Sequence, residues 1–173
     1  MIRSISLGNA YGATGRSLEA IDALKEAIRL KPEMAEAHVA LASYYGSLGR
    51  TEEAVRVMSQ ASQIRKDDPE LLLYLGLLHL QAGSLQAAVE VLTRSISIKP
   101  EMGSAHLNLG IAYERLGQMT EAAAEFKEVA RIDPSDASAH FNLGLTLQKL
   151  GKHLDAIYSL KRATELKKDW ADA

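Results

Sequence analysis

Histidine is the only side chain of the sequence that recurs at a spacing relevant to metal or acid–base chemistry. His38, His106 and His140 occupy the same position of a 34-residue period. Equivalent positions on packed helices are about 8–10 Å apart, whereas metal ligands must come within about 2 Å of one ion. We therefore predict that these histidines pack in the core and bind no metal. His79 and His153 have no acidic or histidine partner at a ligand spacing.

No other group of residues points to catalysis. The chain has no cysteine, so disulfide frameworks and cysteine nucleophiles are excluded. The motifs of zinc proteases, serine hydrolases and nucleotide-binding loops do not occur. Carboxylates fall at the predicted starts of helices, where they favour the positive end of the helix dipole. We expect these carboxylates to face outward without converging on a cleft: Glu52, Glu53, Glu121 and Glu125. The sequence therefore predicts a protein that is not an enzyme and has no cofactor.

Charge and hydropathy exclude two further classes of partner. The 20 Lys and Arg residues nearly balance the 22 Asp and Glu residues. Nucleic-acid-binding domains instead carry concentrated positive charge. The apolar stretches are shorter than the ~18 residues that a membrane span requires, and no signal peptide opens the sequence. We predict no nucleic-acid partner, no membrane insertion and a cytoplasmic location.

The elements that position these side chains follow the same 34-residue period. Glycine keeps this period, and alanine keeps it five residues further on, at Gly15, Gly49, Gly83, Gly117, Gly151, Ala20, Ala54, Ala88, Ala122 and Ala156. The period predicts five repeats followed by the start of a sixth: 1–34, 35–68, 69–102, 103–136, 137–170 and 171–173. Equivalent positions share a place number, counted from the first residue of the repeat, so the glycines occupy place 15.

Each repeat has the pattern of two amphipathic helices. Places 4, 7, 8 and 11 lie on one face of the first helix, as in His106, Leu109, Gly110 and Tyr113. A second apolar face begins at place 20, and the small residues at places 8 and 20 allow the two helices to approach closely. Glycine at place 15 suits the left-handed backbone that ends a helix, and proline at place 32 of three repeats ends the second helix. One such pair cannot bury its apolar face alone, so neighbouring pairs must stack.

The repeats resemble tetratricopeptide repeats. The match is fullest in the fourth repeat, in Leu109, Gly110, Tyr113, Gly117, Ala122, Phe126, Ala130 and Pro134. The resemblance implies an all-α, right-handed superhelical solenoid of five helix-turn-helix repeats and ten helices. It also implies that the first helices line a concave groove, and that the chain is a non-catalytic scaffold whose partner is another protein or a peptide.

The predicted binding residues are apolar side chains that the stacking does not require. Places 5 and 9 of the first helices are apolar throughout repeats 3–5, at Leu73, Leu77, Leu107, Ile111, Phe141 and Leu145. Place 9 is Asn9 or Ser43 in the first two repeats, which is untypical of a deep core position, and Leu80 extends the apolar stripe at place 12. Place 5 could alternatively pack between neighbouring first helices. The stripe predicts a groove for an amphipathic helix or an extended apolar peptide.

Place 6 adds polar groups to the same wall, in Tyr74, Asn108 and Asn142. Asparagine can both donate and accept hydrogen bonds, so such residues can hold a peptide backbone whatever its sequence. Alternatively, the two amides are solvated surface groups. The adjacent asparagines also resemble the asparagine ladder in the repeat arm of O-linked N-acetylglucosamine transferases. That resemblance gives the second hypothesis, a substrate-presenting arm of a larger enzyme.

The two ends of the array predict a third mode of interaction. Neither end carries the polar outer cap that repeat arrays normally need, and we expect the sequence to be a stretch of a longer protein. Ile157, Leu160 and Leu166 lie on the final helix, and Trp170 follows them. An uncapped helix with these residues can stack on another copy, which predicts self-association through the terminal helices.

Overall fold

The structure is a computed structural model that describes residues 17–171, with side chains as far as Lys167. The chain forms two compact units, Met1–Gly83 and Ser84–Ala173. All regular secondary structure in residues 17–171 is helical, which confirms the all-α prediction for that part of the chain. Nine helices lie within it, and the predicted first helix of repeat 1 falls in residues 1–16, outside the described residues.

The described part of unit 1 consists of four helices. They are α1 (Ser17–Leu30), α2 (Ala35–Ser47), α3 (Thr51–Ile64) and α4 (Pro69–Gln81). Pro69 is the first residue of α4, where its missing N–H is no loss, and Asp68 caps the helix by accepting a hydrogen bond from the Leu71 N–H at 3.1 Å. Repeat 2 has Lys66 at place 32, so this proline-containing turn stands in place of the helix-ending proline of three other repeats.

The described part of unit 2, as far as residue 171, contains five helices. They are α5 (Leu85–Ile98), α6 (Gly103–Arg115), α7 (Met119–Ile132), α8 (Ala137–Lys149) and α9 (His153–Ala171). The helix α9 has 19 residues, whereas α5 and α7 have 14 each. Repeat 5 has Lys168 at place 32, where three other repeats carry a helix-ending proline. The predicted start of a sixth repeat at 171–173 stays a prediction.

Glycine at place 15 allows the sharp turn between the two helices of a repeat. All four described glycines at this place have a positive φ, between 72° and 78°: Gly49, Gly83, Gly117 and Gly151. Residues with a Cβ rarely adopt this backbone conformation. The predicted left-handed helix end is confirmed at each of them.

Small residues bring the paired helices into contact, as the pattern at places 8 and 20 predicts. A Cβ atom added to Gly110 of α6 would lie only 2.6 Å from a ring atom of Phe126 on α7. In the next repeat, a Cβ atom on Gly144 would lie 2.7 Å from Leu160 of α9. The glycines therefore provide the space that the large side chain at place 24 fills.

The recurring histidines connect three of the first helices to the turns before them. A histidine at place 4 follows each proline at place 32 by six residues, and its Nε2–H donates to that proline's carbonyl oxygen. The three bonds measure 2.8, 2.8 and 3.1 Å, for His38 with Pro32, His106 with Pro100 and His140 with Pro134. Repeat 3, which has no such proline before it, carries Leu72 at place 4 instead.

One carboxylate that we expected to face outward takes part in this arrangement. The Nδ1 atom of His106 lies 2.7 Å from the Glu125 carboxylate, and both side chains are largely buried. The expectation for Glu125 is therefore wrong. The second helix turns place 23 toward the histidine of the first helix, so a carboxylate at that place gains a partner. His38 has Val57 at the corresponding place, and its Nδ1 is buried without a hydrogen-bond partner.

Asp136 fixes the beginning of α8, and its removal gives a measurable prediction. The Asp136 carboxylate accepts hydrogen bonds from the backbone N–H groups of Ser138 and Ala139, at 2.8 and 3.0 Å. We expect Asp136→Ala to lower the free energy of unfolding by about 1 kcal/mol, measured by urea denaturation. Ser84→Ala is the matched control, because Ser84 precedes α5 without a capping side-chain hydrogen bond. Equal losses in both variants would contradict the prediction.

Candidate peptide-binding site

The six predicted site residues of unit 2 lie on two consecutive first helices. This α6–α8 surface consists of Leu107, Asn108, Ile111, Phe141, Asn142 and Leu145. The two helices are directly connected on the side of places 12 and 13, where the Lys149 ammonium donates to the Glu114 carboxylate at 2.5 Å. The ion pair holds the C-terminal ends of the two helices side by side, and places 5, 6 and 9 lie on the preceding turns of the same helices.

The apolar side chains of the α6–α8 surface remain open to solvent in part. Leu107, Ile111 and Leu145 are half-buried, and Phe141 is 49% exposed. On the opposite face of α6, Leu109 is buried in the core, as its place in the stacking stripe requires. The surface thus offers a row of apolar groups that the folding of the repeats does not fully cover.

The two asparagines of this surface differ in what they can offer a ligand. The Asn108 amide donates to the Ser104 carbonyl oxygen of its own helix at 2.7 Å, which uses one of its N–H groups. At Asn142, it is the backbone carbonyl oxygen, not the side-chain amide, that accepts a hydrogen bond from the Thr146 hydroxyl, at 2.8 Å. Its half-buried amide therefore has more hydrogen-bonding capacity for a peptide backbone than that of Asn108.

The remaining three predicted residues lie in unit 1, on the helix α4. This α4 surface consists of Leu73 and Tyr74, which are half-buried, and Leu77, which is 39% exposed. The Tyr74 hydroxyl donates to the Ser43 hydroxyl of α2 at 3.2 Å. Leu80, which we expected to extend the apolar stripe, is buried and belongs to the core. The expectation for Leu80 is wrong, because a side chain that is only 7% exposed offers almost no surface to a ligand.

Unit 2 also contains an open cleft of about 740 Å³ that the sequence did not reveal as a site. It lies between the beginning of α8 and the C-terminal half of α9, with Phe141, Ala163 and Leu166 among its apolar lining residues. Asp133 and Lys167 line it as well. The hydroxyl and backbone N–H of Ser135 both donate to Asp133 and lower the pKa of its carboxyl, so this side of the cleft is negatively charged at neutral pH. Phe141 therefore belongs both to the cleft and to the α6–α8 surface.

The described side chains give no sign of a metal site. Within residues 17–167, no three His, Asp or Glu side chains are grouped so that they could hold an ion. None of the described helices is both long enough and apolar enough to cross a membrane.

Family models match most of the sequence. A model described as a tetratricopeptide repeat matches residues 13–78, and a second with the same description matches 69–102 and 137–169. A third, described as a TPR repeat, matches residues 115–151. The chain is a tetratricopeptide repeat protein. This confirms the family that the 34-residue period indicates.

Solved structures of tetratricopeptide repeat (TPR) proteins share this fold over nearly the whole chain. A crystal structure of MamA aligns with a TM-score of 0.91 at 23% identity, covering 96% of this chain and 97% of that one. MamA from Desulfovibrio magneticus aligns with a TM-score of 0.88 at 21% identity, covering 96% and 94%. YrrB, described as a TPR protein with an unusual peptide-binding site, gives 0.83 at 21% identity, covering 96% and 86%. Among the curated proteins, no sequence matches. At these identities the likeness establishes the fold alone.

Proposed function

We propose that this TPR protein is a non-catalytic scaffold whose α6–α8 surface binds a peptide or an amphipathic helix of another protein. The observation that carries the proposal is the partial exposure of apolar side chains at places 5 and 9, above all Phe141. The α4 surface presents the same two places in unit 1, through Leu73 and Leu77, and is proposed as a binding surface in its own right. YrrB, which has the same fold, is described as having a peptide-binding site, and the proposal extends that activity to this chain.

The chemistry of the surface defines the ligand. Leu107, Ile111 and Leu145 bury apolar side chains of the ligand, and burial of such area is worth about 25 cal/mol per Å². Asn142 lies between them in the register and can donate to or accept from the ligand backbone. We therefore expect a segment with apolar residues on one side, bound mainly through those residues.

Binding of a selected peptide tests the proposal. Peptides are selected from a displayed random library against the intact chain, and the affinity of the best one is measured by fluorescence anisotropy. We expect Ile111→Asp combined with Leu145→Asp to weaken binding at least about a hundredfold, because both carboxylates would lose water when the ligand binds. Circular dichroism should show an intact helical fold with a modestly lowered melting temperature, since both positions are half-buried rather than core.

A matched control separates a local effect from a general one. Ile98→Asp introduces one aspartate of the same kind at an exposed apolar position on α5, away from the α6–α8 surface, and should leave the affinity unchanged. If the double variant binds the peptide as well as the wild type does, the ligand lies elsewhere and the proposal fails. If it unfolds, Ile111 and Leu145 are core residues, and the surface is not available for a ligand.

The transferase hypothesis has less support from the site. A ladder of asparagines would use the amides of Asn108 and Asn142 together, and the Asn108 amide already donates to its own helix. The scaffold is therefore the function that we propose first. The discriminating observation is the sequence of the full-length gene, in which a catalytic domain following this stretch would favour the transferase arm.

A further inference from the structure

The outer face of α9 exposes a cluster of three large apolar side chains. Leu154, Ile157 and Tyr158 are 84%, 63% and 74% exposed, and their i, i+3, i+4 spacing places them side by side on the helix. Ile21 occupies the same place in repeat 1 as Ile157 and is only 2% exposed. Contiguous exposed apolar surface of this kind marks an interaction site more often than scattered single residues do.

We propose that this α9 face, consisting of Leu154, Ile157 and Tyr158, is the interface of a symmetric dimer. In that dimer, α9 packs antiparallel against α9 of a second copy of the chain. A two-fold interface uses the same patch on both partners, so the patch must complement itself in shape and charge. The α9 face meets the charge requirement through the residues beside it.

Asp155 and Arg162 provide that complementarity. They are seven residues apart, about two helical turns, and so lie on the same flank of the apolar cluster. In an antiparallel pair of identical helices, the side of one helix that carries Asp155 and Arg162 lies next to the same side of the other helix, with the chain running in the opposite direction. When the two-fold axis passes between Tyr158 and Ser159, Asp155 lies opposite Arg162 of the second copy, and the symmetry repeats the pair. Arg162 also lies 3.6 Å from Glu165 within its own helix, a long ion-pair contact between two exposed side chains.

The same register gives the apolar side chains suitable neighbours. Tyr158 lies beside Tyr158 of the second copy across the axis, and Leu154 lies along the aliphatic part of Lys161, whose ammonium can still reach water. Three exposed side chains per copy are fewer than a standard interface of about 800 Å² per partner provides. We therefore expect a dissociation constant on the order of micromolar, so the dimer would form and dissociate with concentration.

Sedimentation equilibrium of the intact chain across a dilution series tests the proposal. We expect the wild type to pass from monomer to dimer, and Ile157→Lys with Tyr158→Lys to weaken dimerisation at least about tenfold at an unchanged melting temperature. The matched control is Leu18→Lys. Leu18 occupies the same place as Leu154 and is also strongly exposed, but the residues three and four positions further on are the buried Ile21 and the charged Asp22. This control should dimerise like the wild type.

Charge exchange tests the register independently of the apolar cluster. Asp155→Arg and Arg162→Asp should each weaken the dimer, whereas the variant with both changes should recover it, because the opposite charges again meet across the axis. If the double variant stays monomeric, the antiparallel register is wrong. If the wild type is monomeric at every concentration, or if only the Ile111→Asp, Leu145→Asp variant loses the dimer, the α9 face is not the interface. That last variant also separates this proposal from the peptide-binding one, since we expect it to dimerise normally.

Discussion

Replacement of Phe126 by alanine is expected to lower the free energy of unfolding by about 3–5 kcal/mol, the range for truncation of a fully buried aromatic ring. Phe126 lies on α7 and is the largest fully buried side chain in residues 17–167. Its ring lies against Gly110 of α6, so truncation leaves a cavity between the two helices of repeat 4. Urea denaturation followed by circular dichroism measures the loss, and hydrogen exchange should show faster opening of α6 and α7.

The second phenylalanine of the sequence is the matched control. Phe141→Ala removes the same atoms, but from a side chain that is 49% exposed, so the stability loss should be less than half that of Phe126→Ala. Its main effect should instead be a weaker affinity for the selected peptide. Equal stability losses at the two positions would show that Phe141 is a core residue, and would also remove the main observation behind the α6–α8 surface.

The positions of the helices and turns could be predicted from the sequence because they depend on local residue patterns that recur in each repeat. The 34-residue period, glycine at place 15 and apolar residues at helical spacing are each sufficient to locate a helix or a turn. The length of α9 could not be predicted as securely. In repeat 5, Lys168 stands at place 32, where other repeats have a helix-ending proline, and α9 continues past it. Repeat 2 also has a lysine at place 32, Lys66, but its second helix α3 ends before that place, at Ile64. A single missing signal does not decide between these outcomes.

The side-chain contacts of the candidate site were less predictable than the helices. Helical register gives the direction of each side chain around its own axis, but not how far a neighbouring element covers it. Leu77 and Leu80 illustrate this limit, since both belong to the predicted apolar stripe and only Leu77 is exposed. The hydrogen bond of Asn108 to Ser104 depends on a rotamer choice that a sequence pattern does not contain. The cleft beside Phe141 arises from the packing of α8 against α9, which again lies beyond single-helix register.

Gly110→Ala is expected to destabilise the protein by about 1–2 kcal/mol, although alanine is the better helix former. The added methyl group would lie 2.6, 2.9 and 3.0 Å from three ring atoms of Phe126, closer than carbon atoms can approach without movement. Overpacking of this kind costs about 1–3 kcal/mol. The gain in helix propensity returns only about 0.5–1 kcal/mol. Urea denaturation of Gly110→Ala beside the wild type measures the net effect.

Repeat 2 suggests a background in which Gly110→Ala should no longer destabilise the protein. There, Ala42 and Met58 occupy the places of Gly110 and Phe126, and both are fully buried, so alanine fits where the facing side chain is an unbranched methionine. In a Phe126→Met background, Gly110→Ala should therefore be neutral or stabilising, because the ring contact is gone and the propensity gain remains. The double-mutant cycle should give a coupling energy of at least about 1 kcal/mol. Simple additivity would mean that the glycine is not required by its contact with the ring.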